Sequence, residues 1–181
     1  MEILSKRLIL ALTLSAGLFT ISCNNSTTTT TNEGSNKPDT TLKKTEPAAP
    51  AGKVANGADI EVHAVGNTMA EMHYDVSEMH VPANTAIKIT LTNDGTDAAM
   101  QHNVVISKPE DVDSVASEGQ AAGMKNGFVP NDKARVIAAS GLTAPGAKTV
   151  LSFKTPEKGE YKFFCTYPGH YKQMQGKFIV E

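Results

Sequence analysis

Three residues able to bind a soft metal fall within one short stretch near the C-terminus, Cys165-Thr-Tyr-Pro-Gly-His170-Tyr-Lys-Gln-Met174. A fourth candidate, His102, lies far upstream. If one ion is to be shared by all four, two distant segments must meet at one point. That demand constrains the fold more than any other feature of the chain. Cys165 follows Tyr161-Lys-Phe-Phe164, a strand candidate, so its position is set by a rigid ladder. Pro168-Gly169 is a turn signal that brings His170 back towards Cys165. His102 must then come from the start of a neighbouring strand.

The rest of the domain reads as short strands. Ile60, Val62 and Ala64 alternate with Glu61, His63 and Val65, the pattern of a half-buried strand. Ala86–Thr92 places Ile87, Ile89 and Leu91 on one face, and Asn93-Asp-Gly95 marks a turn. His102–Ser107, Thr149–Phe153, Glu160–Cys165 and Gln175–Val180 are further strand candidates. Pro82, Pro145-Gly146, Pro156 and Gly159 separate them. The spacing predicts an all-β sandwich or barrel. One insert, Pro109–Met124, has helical composition with acidic residues in its first turn, which complement the helix dipole. Gly119 and Gly123 limit it to one short helix, expected to lie as a flap on one side of the sandwich.

The N-terminus has a different character. Lys6 and Arg7 precede an apolar run, Leu8–Ile21, that is short for a membrane span and fits a secretory signal. Residues 1–22 are therefore expected to be removed. Phe19-Thr-Ile-Ser22-Cys23 is similar to a bacterial lipoprotein cleavage site with Cys23 as the lipidated residue, although Thr20 stands where Leu is usual. Residues 24–57 carry a threonine run and scattered prolines, too polar to form a core. They are expected to be a disordered tether with a reach of roughly 30 Å. The folded domain is expected at 58–181. A formal net charge of −2 gives no basic surface for nucleic acid. The two cysteines, Cys23 and Cys165, have such different contexts that no structural disulfide is expected.

Each candidate ligand alone has a plainer reading. A buried free Cys is a common core residue, a lone His is usually structural or on the surface, and a lone Met fills a gap. Together they form Cys-x₄-His-x₃-Met after an aromatic strand, with His102-Asn103 upstream. A His₂Cys set with a weak Met ligand suits copper cycling between Cu(I) and Cu(II) and marks an electron-transfer centre. Zinc would also bind such ligands in vitro. His63, His73 and His80 have no partner spacing and are expected on the surface, while Met69, Met72 and Met79 are expected in packing or at an exposed rim.

The segment Tyr161–Gly176 resembles the copper loop of the azurins, members of the cupredoxin family. Ala99-Met100-Gln101-His102-Asn103-Val-Val resembles the azurin loop that supplies the first histidine, and Gly123-Met124 and Arg135–Ala138 are azurin-like as well. Auracyanins are also similar, but the spacing from His170 to Met174 favours azurin. The resemblance implies an eight-stranded Greek-key sandwich binding one copper ion. It implies His102, Cys165 and His170 as equatorial ligands, Met174 as the axial one, and the Gln101 backbone carbonyl opposite it. It implies that Asn103 ties the two ligand loops through Thr166, and that the N–H groups of Asn103 and Tyr167 face the Cys165 sulfur. Three features depart from azurins: the disulfide is absent, there is no Trp, and Tyr171-Lys172-Gln173 replace smaller or more apolar residues.

The function so implied is one-electron transfer, not enzymatic turnover, with redox proteins such as c-type cytochromes or a terminal reductase or oxidase as partners. Docking is expected around an exposed edge of His170, at Met100, Met124, Tyr167, Pro168 and Tyr171, with Lys172 favouring an acidic partner face. The expected location is the bacterial periplasm or cell envelope, lipid-anchored to a membrane. A copper-delivery lipoprotein is the alternative, resting on Met69, Met72, His73, Met79 and His80. A copper enzyme would need a second metal site, for which only His63, His73 and His80 remain.

Overall fold

The computed structural model describes residues 52–181. The signal segment, the lipidation candidate Cys23 and residues 24–51 lie outside the described residues. Among the described residues, ten strands form two sheets. They are β1 (Lys53–Asn56), β2 (Asp59–Val65), β3 (His73–Tyr74), β4 (Val76–Val81), β5 (Ala86–Asn93), β6 (Val105–Ser107), β7 (Ala138–Ala139), β8 (Lys148–Lys154), β9 (Gly159–Phe164) and β10 (Gln175–Val180). One sheet has the order β1-β4-β10-β9-β6-β7 and the other β3-β2-β5-β8. The expected all-β sandwich with a short helix is what the chain forms.

Alternation dictates which side chains meet between the sheets. Ile60, Val62 and Ala64 of β2 and Ile87, Ile89 and Leu91 of β5 face Met79, Val81, Ile106, Phe163 and Phe178 of the larger sheet, all at most 4% exposed. At roughly 1.5–3 kcal/mol for each large apolar side chain buried, this core supplies the main driving force for folding without a disulfide. Two of the three methionines left open by the sequence, Met72 and Met79, are buried in it, whereas Met69 is 47% exposed.

The helix α1 (Val112–Ala122) is preceded by a 3-10 turn at Pro109–Asp111 and followed by another at Met124–Asn126. Its Val112, Val115 and Ala116 pack with Val105, Val129 and Phe164. It thus covers the outer face of β6 and β9, next to the metal-ligand candidates. Gly119 is needed there for close approach, because a Cβ at that position would lie 2.2 Å from the Phe128 carbonyl oxygen.

Three expectations are corrected. The expected linker end at residue 57 is too late, since β1 pairs in parallel with β4 at Lys53–Asn56. β1 is an edge strand with no buried residue, so no hydrophobic pattern announced it. The expected strand from His102 begins only at Val105; His102 instead forms an isolated bridge with Thr143. The described residues form ten strands where the resemblance implied eight, and β3 and β7 are only two-residue pairings.

Candidate metal centre

Cys165 is the first residue beyond β9, and Gln175, which opens β10, pairs with Phe164. The loop between them is therefore the closed end of a hairpin. Cys165 N–H donates to the Met174 carbonyl at 3.0 Å, Met174 N–H to the His170 carbonyl at 2.9 Å, and His170 N–H to the Tyr167 carbonyl at 3.0 Å. Gly169 has φ +82°, a left-handed conformation that a side chain would strain. The loop is thus pinned by its own backbone before any ligand arrives.

The upstream histidine is pinned from two sides. His102 and Thr143 exchange backbone hydrogen bonds of 3.2 and 2.7 Å. Asn93, fully buried at the end of β5, donates to the carbonyls of Met100 and Thr143 at 2.7 and 3.0 Å. Asn103 then joins this segment to the hairpin loop. Its Nδ2 donates to Thr166 Oγ1 at 2.9 Å, and its Oδ1 accepts from the Thr166 N–H at 2.9 Å. The tie expected from Asn103 to Thr166 is present.

The donor atoms meet. His102 Nδ1 and His170 Nδ1 are 3.2 Å apart, and the Cys165 sulfur lies 4.0 and 3.7 Å from them. A triangle with those sides has a centre about 2.1 Å from each corner, the length of a metal–imidazole bond and close to a metal–thiolate bond. Two ring nitrogens and a sulfur aimed at one buried point fit a soft or borderline cation. Met174 is fully buried beside Cys165, and Gln101 is half-buried just before His102. Among the described residues this is the one group of three or more His, Cys, Asp or Glu side chains placed to hold a metal. His63 instead faces Asp94, His80 faces Glu78, and His73 bonds the Glu71 carbonyl. All three are half-buried rather than open on the surface.

A sequence model of the family described as copper binding proteins, plastocyanin/azurin family, matches residues 60–181. The chain belongs to this family. Auracyanin-A of Chloroflexus aurantiacus is 36% identical over 119 residues, covering 64% of this chain and 72% of the relative. Outer membrane protein H.8 of Neisseria meningitidis is 39% identical over 115 residues, covering 60% of this chain and 62% of the relative. A solved azurin (Az-iso2) from Methylomonas sp. strain J superposes with a TM-score of 0.63 at 35% identity, over 68% of this chain and 98% of the other. Azurins and auracyanins thus match at similar levels. Members of this cupredoxin family are blue copper electron carriers and not enzymes, and copper is this chain's cofactor.

Burial sets the charge states of the cupredoxin site. It lowers the pKa of both imidazoles to about 4, with His170 adding a smaller effect on His102. Both rings are therefore neutral at pH 7, with lone pairs free for a metal. Burial raises the Cys165 thiol to about 11. The backbone N–H groups of Asn103 and Tyr167 and the Tyr74 hydroxyl oppose that rise, because each presents positive polarity to the sulfur. The two N–H groups were expected from the resemblance; Tyr74 was not. Its only sequence signal was a tyrosine at an apolar position next to a strand whose alternation is broken.

The expected docking residues divide. Met124 is 60% exposed, Pro168 and Lys172 are exposed, and Tyr167 and Tyr171 are half-buried. Met100 is core, at 8% exposed, and His170 itself is only 1% exposed. The Tyr167 ring lies 4.7 Å from that of His170 and meets Phe128 edge-on at 5.1 Å. The methyl of Met69 lies against Gly169. Lys172 pairs with Asp113 at 2.9 Å, so its charge is locally compensated.

Proposed function

We propose that this domain carries single electrons on one copper ion held by His102, Cys165 and His170, with Met174 as a weak fourth ligand and the Gln101 carbonyl as a candidate fifth. The observation that carries the reading is the donor triangle with its metal-sized centre. Copper bound there supplies a one-electron couple, Cu(I)/Cu(II). The chain's task is to keep the donors still, since a site that moves little on oxidation exchanges electrons quickly. The hairpin backbone, the Asn103–Thr166 tie and the Asn93 bonds do this. Burial keeps water from the donors. His170 is the gate, and the Tyr167 ring beside it extends the path outward.

Docking takes place around His170, over Met124, Tyr167, Pro168 and Tyr171, with Met69 at the rim. Because Asp113 pairs with Lys172, apolar contact outweighs charge in this patch. Such encounters use small interfaces and release quickly. The partners are redox proteins such as c-type cytochromes or a terminal reductase or oxidase. The protein sits in the bacterial cell envelope, held to a membrane by a lipid on Cys23. The signal-like N-terminus and the similarity to an outer membrane protein support that location.

Adding Cu(II) to the metal-free protein is expected to give one equivalent of an intensely blue species that a reductant bleaches reversibly. Cys165→Ser should abolish the colour, because the thiolate is the origin of the absorption. Blue colour that survives Cys165→Ser, or no colour in the unaltered chain, overturns the assignment.

A further inference from the structure

Phe128 is buried, at 8% exposed, yet it joins neither the core between the sheets nor the cluster under the helix. Among the described residues it is the one buried apolar side chain outside both. Its backbone is also unusual. With φ +56° it takes a left-handed conformation that a bulky side chain disfavours. The other non-glycine residue described with positive φ is Asn84, a type that tolerates it. Phe128 is held there from several sides. Its N–H donates to the Gly123 carbonyl at 3.1 Å, and the Gly127 carbonyl just before it accepts from Asn103 Nδ2 at 3.0 Å. Its own carbonyl is pressed against Gly119. A glycine would take this backbone without strain. The phenyl ring is therefore the informative group, since strain that the surroundings impose gathers at functional sites.

That ring meets Tyr167 edge-on at 5.1 Å, and the Tyr167 ring in turn lies 4.7 Å from His170. Tyr167 thus has Phe128 and His170 as ring neighbours. The torsion that turns a tyrosine ring is broad, so its neighbours decide where the ring rests. Edge-to-face contact is a favoured aromatic geometry and fixes it. His170 is 1% exposed and offers a partner no open edge. Tyr167 is half-buried and keeps surface of its own. An electron passing at His170 must cross whatever covers that ring, and tunnelling weakens steeply with each gap. A Tyr167 ring swung away from His170 would leave such a gap.

We propose that Phe128 is a positioning residue for electron transfer, holding the Tyr167 ring against His170 so that electrons cross to a partner through these two rings. The inference rests on the copper reading above. It is tested by electron self-exchange between oxidised and reduced copies of the copper protein, read from NMR line broadening. One copy loses an electron, the other gains it, and the rings end as they began. In Phe128→Leu the blue colour and the reduction potential should stay as they are. Self-exchange should slow about fivefold, the bias in ring position that one aromatic pair sustains. Phe128→Tyr should restore it. Because Phe128 is itself buried, its replacement changes the docking surface little. In the metal-free protein, NMR should show cross-peaks from the Tyr167 ring to Phe128 and to His170, and Phe128→Leu should weaken the one to His170.

A blue Phe128→Leu protein with unchanged self-exchange overturns this inference and leaves the copper assignment intact. So does a Tyr167–His170 cross-peak that keeps its full strength in that variant. A shifted potential or absorption band also overturns it, because Phe128 would then act on the copper geometry and not on the exit. An unaltered chain that never turns blue removes both readings. If Phe128→Leu fails to fold, Tyr167→Leu removes the other ring of the pair. Self-exchange should slow there too, and an unchanged rate overturns the proposal.

Discussion

At the scale of single residues, the centre stores its donors in uncharged form, and that choice has a pH signature. His102 and His170 titrate near 6.5 when unfolded and at about 4 when folded. Between those values the unfolded chain binds more protons, so stability falls as pH falls. The full effect, reached below pH 4, is about 3 kcal/mol for each ring. Cys165 acts at the other limit. Its folded pKa of about 11 exceeds the ordinary value of 9.0, so stability is lost as pH rises from 9 towards 11. His80 opposes the acid loss, because Glu78 raises its pKa, but that pair is partly open to water and contributes little. The metal-free protein should therefore show a urea midpoint that is flat between about pH 6.5 and 9 and falls on both sides. His170→Gln should make the acid fall shallower. A midpoint that climbs from pH 6.5 to 5 would contradict the buried neutral rings.

At the scale of elements, the flap is held to the site by the absence of a side chain. Alanine is favoured over glycine in a helix by about 1 kcal/mol. At Gly119 that gain must compete with a Cβ placed 2.2 Å from the Phe128 carbonyl, a contact no rotamer can relieve. Overpacking of this kind costs typically 1–3 kcal/mol, so the steric term wins. Gly119→Ala should lower stability by up to about 2 kcal/mol net, and it should also disturb the site, since Thr166 Cβ is the next neighbour at 3.4 Å. Gly141→Ala is the control, with nothing within 4 Å of its added carbon. A Gly119→Ala protein as stable as the control would mean that the flap floats free of the sheet. Composition alone reads Gly119 as a helix weakener; its role in packing is visible only once the chain turns back after the helix and lays the Phe128 carbonyl against it. The same limit explains which strands were legible. β2, β5, β8, β9 and β10 each bury an alternating face or carry aromatic residues, whereas β4 interrupts its alternation and β1, β3 and β7 exist through pairing alone. The ligands were legible because their chemistry and spacing are rare together. Asn93 and Tyr74 were not, because a buried Asn or Tyr is informative only once its partners are known.

At the scale of the whole molecule, strand direction decides where the chain enters the domain. β1 and β10 both run parallel to β4, so their first residues lie at one end of the larger sheet. Lys53 of β1 pairs with Val76, and Gln175 of β10 follows Met174 directly. The end at which the chain enters is therefore the end that carries the metal ligands. A domain without β1 would take in its leading segment at β2, which runs the opposite way after the turn at Gly57. If Cys23 carries a lipid, the described domain is joined to it through Gly52 and Lys53, at that end of the sheet. Anchoring and copper binding should separate cleanly by mutation. Cys23→Ser is expected to move the protein from the membrane to the soluble fraction of the cell envelope, with the blue absorption and the reduction potential unchanged. Retention of the Cys23→Ser protein in the membrane fraction would show that something other than this lipid holds it there. A soluble protein with an altered spectrum would show that the leading segment touches the copper centre.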